Sequence, residues 1–158
     1  MERIWAPWRE AYIRGKKEGC FLCDKLRENR DEENFIITRR NFNFAILNIY
    51  PYNPGHIMVA PLRHVKSPEE LEPHELLEHF SLVNEMVSLL RKAFSPHAFN
   101  IGINLGKVAG AGLEDHFHTH VVPRWEGDTN FMPVIMETKV ISSSLESVYK
   151  TLKEALSP

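Results

Sequence analysis

The most regular stretch of the chain is Pro73 to Phe94, where Leu76, Phe80, Val83, Val87, Leu90 and Phe94 recur at steps of four and three. That is the period of one helix face, so a long helix is predicted over Pro73–Phe94 with this line buried. His74 and His79 fall off the line and are expected to be solvated on its polar side. Upstream, Phe35–Thr38 and Phe42–Asn48 are aromatic and β-branched runs separated by Arg39, Arg40 and Asn41. They predict a hairpin. Pro51, Asn53, Pro54 and Gly55 punctuate a turn. The segment His56–Ala60, apolar almost throughout, then predicts a strand in the middle of a sheet.

Beyond the long helix, which Ser67 and Pro68 lead into, Ala98–Asn104 and His116–Arg124 predict two more strands. The loop between them, Leu105–Asp115, holds Gly106, Gly110, Ala111 and Gly112 and favours exposed backbone over packing. A last helix is expected from about Ser143 to Leu156, with Ser143 and Glu146 at capping-box spacing. At the other end, Cys20–Cys23 reads as a turn and Asp24–Glu33 as a short charged helix. Met1–Gly19 carries Trp5, Trp8 and Tyr12, with Pro7 against a continuous helix, and is expected to pack on another surface. The order of hairpin, strand, long helix and two strands predicts an α+β fold. Its sheet is mainly antiparallel, with the long helix on one face and a C-terminal helix beyond.

Composition narrows the function classes. The 158 residues, 43% hydrophobic and 25% charged, suit one globular domain over 1–158. Nineteen Lys and Arg against 21 Asp and Glu leave a net charge of −2. No electrostatic footprint for DNA, RNA or an anionic membrane follows from that balance. A small anionic ligand remains compatible with it, because backbone amides bind phosphate without net positive charge. No apolar run approaches the ~20 residues that span a bilayer, and the N-terminus lacks a signal peptide's apolar core. Two cysteines at CxxC spacing suit a reducing, cytoplasmic setting and a metal or redox role.

The chemistry concentrates in HFHTHVVPR, where His116, His118 and His120 alternate. In a strand, period two puts the three imidazoles on one face and Phe117, Thr119 and Val121 on the other. Surface histidines would explain one such residue, but three in five are hard to explain that way. A single three-His metal site fails on distance, since the outer two lie ~13 Å apart on an extended strand. Neutral imidazole is a good nucleophile near pH 7, and side chains two residues apart sit ~6.6 Å from each other. A phosphorus atom fits before one while a leaving oxygen lies toward the other. Asn104 and the amides around Gly110–Gly112 are placed to meet the non-bridging oxygens.

This motif resembles the signature of the histidine triad (HIT) superfamily. FAILNIYPYNPGHIMVAPLRHV from Phe44 and NIGINLGKVAGAG from Asn100 resemble its upstream block and its loop before the triad. WAPWREAYI and VVPRWEGDTNFMPV resemble the diadenosine tetraphosphate phosphorylase-like branch. The resemblance implies a HIT-like fold and a nucleotidyl transferase or hydrolase that forms a covalent nucleotidyl-histidine at His118. His120 is then implied at the leaving-group side and His56 in support. Asn48 is implied at the ribose, Phe44, Ile46 and Leu47 near the base, and Asn104 at phosphate. An adenine nucleotide or dinucleoside polyphosphate is the implied substrate and a homodimer the implied assembly. Other readings are a nucleoside phosphoramidase and a nucleotide-sensing binding module. Two departures stand out: Thr119 replaces a hydrophobic residue, and Leu113 stands where many members carry Ser or Thr.

Cys20 and Cys23 alone serve zinc, redox chemistry or neither. A thioredoxin-like pair wants a helix N-terminus in a βαβ setting, which the chain does not predict. His64 and His116 offer two imidazoles to complete a Cys2His2 tetrahedron. Zinc-containing HIT relatives have the matching set, which implies structural zinc on Cys20, Cys23, His64 and His116, with no organic cofactor. Of the weaker signals, His97 is expected to be structural in a turn, and the Arg14, Lys16 and Lys17 run to be solvated. Trp125 suits either a purine stack or a dimer contact.

Overall fold

The structure, a computed structural model, describes residues 19–136 and 139–158. The aromatic N-terminal segment, with its basic run, lies outside the described residues. Five helices and strands come first: α1 (Phe21–Glu28), β1 (Ile36–Arg39), β2 (Asn43–Leu47), β3 (Ile57–Pro61) and α2 (Pro73–Phe94). After them come β4 (Ala98–Ile103), β5 (Thr119–Arg124), α3 (Met132–Met136) and α4 (Leu145–Leu156), with 3-10 turns at Pro68–Glu70 and Lys107–Ala109. The strands form one five-stranded sheet in the order β1-β2-β3-β5-β4. Every pairing is antiparallel. The apolar strand β3 is central, as its unbroken burial requires.

The long helix matches its predicted bounds because both ends carry local signals. Pro73 stands at the first turn, where its missing N–H costs nothing, and the Glu75 carboxylate accepts from the Glu72 backbone N–H at 2.8 Å. At the far end Ser95 takes a left-handed conformation (φ 47°) and its N–H donates to the Arg91 carbonyl at 3.1 Å. The buried face differs from expectation. The helix buries Glu75, His79, Leu82, Val83, Met86, Leu89 and Leu90, while Phe80 is 43% exposed. Val83 and Leu90 of the expected line are buried and Leu76, Val87 and Phe94 half-buried, so the buried stripe is displaced toward the preceding residues by less than one position. Leucine and methionine on the true stripe match the apolar content of the other one. Its two polar members are held by hydrogen bonds instead of solvent. His79, expected to be solvated, is fully buried.

Three smaller corrections concern ends. Cys20–Cys23 is no free turn: Cys20 is the N-cap of α1, its Sγ accepting the Cys23 backbone N–H at 3.5 Å. The last helix is capped by Ser144, whose Oγ accepts from the Ser147 N–H at 3.2 Å, one residue later than the Ser143 spacing indicated. The ladder of β5 begins at Thr119, so His116–His118 precede the paired strand, with a bend at His116. The short helix α3 had no counterpart among the expected elements.

The sheet divides the interior. On one face α2 packs on β2, β3 and β5, and α4 packs on α2 and β1. Ala45, Leu47, Ile57, Val59, Leu82, Met86, Val121 and Leu152 form the core there. Each fully buried Leu, Ile or Val contributes about 1.5–3 kcal/mol. On the other face Leu22 of α1 covers a smaller cluster with Cys20, Ile36, Phe44, Ile46, Met58 and Ala60. That second face carries the histidines. Among the described residues no helix is long and apolar enough to cross a membrane.

Candidate active site and an adjoining metal-ligand cluster

Alternation does in space what it predicts in sequence. Phe117 and Thr119 turn toward α2, where the His79 ring lies 4.9 Å from the Phe117 ring and 2.7 Å from the Thr119 hydroxyl. His116, His118 and His120 therefore turn to the opposite face. The register pairs His120 with Met58 of β3 and Gly102 of β4. A Cβ added at Gly102 would meet nothing within 4 Å, so the sheet is open beside His120. His56, two residues before Met58, shares this face.

Hydrogen bonds determine where each imidazole carries its proton. His118 Nδ1 lies 2.8 Å from the His116 carbonyl, which only accepts. The proton is therefore on Nδ1, and His118 Nε2 presents a lone pair. The Tyr52 backbone N–H donates to His56 Nδ1 at 3.1 Å, so His56 is protonated on Nε2 and donates to His120 Nδ1 at 2.9 Å. His120 in turn keeps its proton on Nε2. The His118 and His120 rings sit 4.9 Å apart, and Tyr52, half-exposed, covers His56 at 4.4 Å and His120 at 5.9 Å. One side chain thus offers a nucleophilic nitrogen beside another offering a donor.

Charge supports the same assignment. Burial, then His120 and His118, pushes His56 down to about 3. Burial and His118 push His120 down to about 4, and burial lowers His118 as well. All three are neutral at pH 7 before a ligand arrives, which leaves the His118 lone pair available.

Beside the triad the ligand atoms of Cys20, Cys23, His64 and His116 lie within 4.8 Å of one another. His116 Nε2 donates to the Pro61 carbonyl at 2.8 Å, so its Nδ1 is unprotonated, and that lone pair faces Cys20 Sγ at 3.2 Å and Cys23 Sγ at 3.5 Å. Cys23 Sγ is also 3.4 Å from His64 Nδ1. Edges of a tetrahedron with metal–nitrogen bonds of ~2.0 Å and metal–sulfur bonds of ~2.3 Å come to ~3.5 Å, so this donor set fits a tetrahedral ion. The carbonyl on the far nitrogen is the partner that orients a ligating histidine. Burial and Cys20 push the Cys23 thiol up to about 11, the reverse of what a redox pair needs.

A HIT domain matches residues 29–127. The chain belongs to the HIT family. An AP-4-A phosphorylase of Mycobacterium tuberculosis is 35% identical over 161 residues, covering 96% of this HIT chain and 83% of that protein. An asymmetrical bis(5'-nucleosyl)-tetraphosphatase of Schizosaccharomyces pombe is 33% identical over 120 residues, covering 75% of this chain and 65% of the other. Among solved structures, a zinc-bound histidine triad family protein from Mycobacterium smegmatis shares the fold at TM-score 0.70 and 24% identity, covering 87% of this chain and 93% of that one.

Of the other expected site residues, Asn48, Phe44 and Ile46 are on the triad's side of the sheet, and Leu47 is not. Asn48 is buried past the end of β2, its Oδ1 accepting from the Tyr50 N–H at 2.9 Å and its own N–H donating to the His56 carbonyl at 2.9 Å. Phe44 and Ile46 share its parity and lie under Leu22. The exception is Leu47, whose side chain belongs to the helix-side core. Asn104 follows β4 half-buried, and Gly110 and Gly112 lie in the exposed loop leading into the triad. His97 does hold a turn, its Nδ1 accepting from the Glu126 N–H at 2.9 Å.

Sequence reasoning missed the residues that hold the histidine loops. Asp128 accepts from Arg124 Nε at 2.6 Å, from Asn53 Nδ2 at 2.7 Å and from the Trp125 N–H at 3.1 Å. The Arg124 guanidinium holds that carboxyl well below the usual carboxylate range. This clamp fastens the turn before His56 to the end of β5. Arg63, next to His64, makes a two-pronged pair with Glu75 at 2.8 and 2.7 Å. Asn43 went unnoticed too and His79 was expected to be solvated, although an inward Thr119 hydroxyl calls for a buried partner.

Proposed function

We propose that this HIT protein cleaves the polyphosphate chain of dinucleoside polyphosphates, diadenosine tetraphosphate foremost, through a nucleotidyl-His118 intermediate. The observation that carries the reading is the proton pattern: a lone pair on His118 Nε2 beside an N–H on His120. The likeness to an AP-4-A phosphorylase over nearly the whole chain supplies the substrate class. His118 Nε2 attacks the α-phosphorus, a P–N bond forms, and the P–O bond to the departing nucleoside triphosphate breaks. That leaving group is a stable anion, so a hydrogen bond from His120 Nε2 suffices and no full proton transfer is needed. His56 holds His120 in the donating tautomer. In the second step phosphate or water attacks the same phosphorus and breaks the P–N bond.

Asn48 and Asn104, with the amides near Gly110 and Gly112, would contact ribose and phosphate on the triad face. Phe44 and the backbone around Leu47 would back the base. Cys20, Cys23, His64 and His116 would hold a structural zinc, which ties α1 to the chain carrying the triad and supplies no step of the reaction. Two unpaired thiols support a cytoplasmic setting for the domain, taken as 1–158. The outer strand β4, with Ile101 half-exposed, supports pairing with a second copy.

Incubation with diadenosine tetraphosphate, with and without inorganic phosphate, followed by chromatography, tests the reading. ADP plus ATP appearing with phosphate is the expected result for a phosphorylase, and AMP plus ATP that for a hydrolase. His118→Ala is expected to lower either rate at least about 1,000-fold. An unaffected His118→Ala variant, or intact substrate with the wild-type protein, would end this reading.

A further inference from the structure

Behind the triad, on the side of β5 turned toward α2, runs a polar chain that the proposed chemistry does not use. Asn43 Nδ2 donates to the Glu75 carbonyl at 3.1 Å and to the Glu78 carboxylate at 2.9 Å. Its Oδ1 is therefore the atom 2.9 Å from His79 Nδ1, which must carry the proton. His79 Nε2 is left as an acceptor, and the group 2.7 Å away is the Thr119 hydroxyl. Glu78, Asn43, His79 and Thr119 form one directional chain through the helix–sheet interface. His79, Asn43 and Thr119 are all fully buried.

An apolar pair at positions 79 and 119 would fill this space without desolvating an imidazole and a hydroxyl. The location of Thr119 suggests what the polar pair provides instead. Thr119 is the residue between His118 and His120, and it is the first of β5 with ladder partners, Val59 on one side and Ile103 on the other. His118 lies just outside the ladder. Apolar packing lets an extended segment rock about its own axis, whereas a short directional hydrogen bond resists it.

We propose that His79 is a positioning residue: through the Thr119 hydroxyl it fixes the rotation of β5 and thereby the placement of the His118 and His120 imidazoles relative to β3 and His56. This rests on the reading of those two residues as nucleophile and leaving-group partner. A rotation of ~10° moves a ring tip ~6 Å from the strand axis by ~1 Å, a misplacement that costs about 100-fold in rate.

Thr119→Val removes the hydroxyl at nearly constant shape, and Thr119→Ser keeps it. In cleavage of diadenosine tetraphosphate, Thr119→Val is expected to lose about 10- to 100-fold in kcat with KM within about threefold of wild type. Thr119→Ser is expected to recover most of that loss. A folded Thr119→Val protein with wild-type kcat would overturn the proposal, as would a serine variant no better than valine. Should the valine variant not fold, Thr119→Ala, which also removes the hydroxyl, carries the same criterion. Imidazole 15N NMR needs no turnover: the His118 and His120 signals should move in Thr119→Val and return in Thr119→Ser. Unmoved signals would overturn the proposal even for a protein inactive on this substrate, while an inactive wild type with moving signals would count against the functional reading alone.

Discussion

Acidification acts on the buried His79 as a perturbation whose size follows from its surroundings. Burial, with a smaller contribution from His118, pushes this imidazole from 6.5 down to about 4 in the folded protein. The folded value is the lower one, so the unfolded chain binds the extra proton, and stability falls as pH drops below 6.5. At pH 5 the unfolded imidazole is almost wholly protonated and the folded one almost wholly neutral. The ratio of their proton-binding factors is about 30, and RT ln 30 is about 2 kcal/mol. Above pH 7 this penalty vanishes. Urea unfolding of the wild type and of His79→Gln at several pH values between 7.5 and 5 measures it directly. The wild type is expected to lead at pH 7.5, with its lead shrinking by about 2 kcal/mol at pH 5. Parallel pH profiles for the two proteins would refute the assignment of His79 as a buried, neutral group.

Two further outcomes are expected of the metal cluster and the turn before His56. Purified protein should carry about one zinc per chain by plasma mass spectrometry, and Cys20→Ser with Cys23→Ser should carry none and melt at lower temperature; a metal-free wild type would contradict the cluster's assignment. Gly55→Ala should destabilise by about 1–3 kcal/mol in denaturant titration. Gly55 has φ +85°, and a Cβ there would meet Leu90 Cδ2 at 3.0 Å and Pro123 Cγ at 3.3 Å, so an unchanged midpoint would show that the turn yields.

What was legible in the chain depended on how local its cause is. The histidine face followed from alternation alone, and the bounds of α2 from Pro73 and the polar residues around it. The centre of the buried stripe did not follow, because it depends on which residues β2, β3 and β5 present beneath the helix. His79 looked like a surface residue because its partners, Asn43 and Thr119, are 36 and 40 positions away. Asp128 was invisible for the same reason, its partner Asn53 standing 75 positions upstream. Cys20 as a helix cap was missed because sulfur is an uncommon capping atom. The Cys2His2 set was readable as residue types, and its closeness in space required the fold.

The cysteine–histidine cluster has a topological meaning as well as a chemical one. It joins position 20 to position 116 across 96 residues, and position 23 to position 64 across 41. An ion held there would close two nested loops as a disulfide does, and for a loop of about 100 residues such closure removes about 4–5 kcal/mol of unfolded-chain entropy. An α1 of only eight residues is marginal by itself. The knot would therefore let a reducing compartment have the benefit of a covalent staple, one that a chelator opens and a reductant does not.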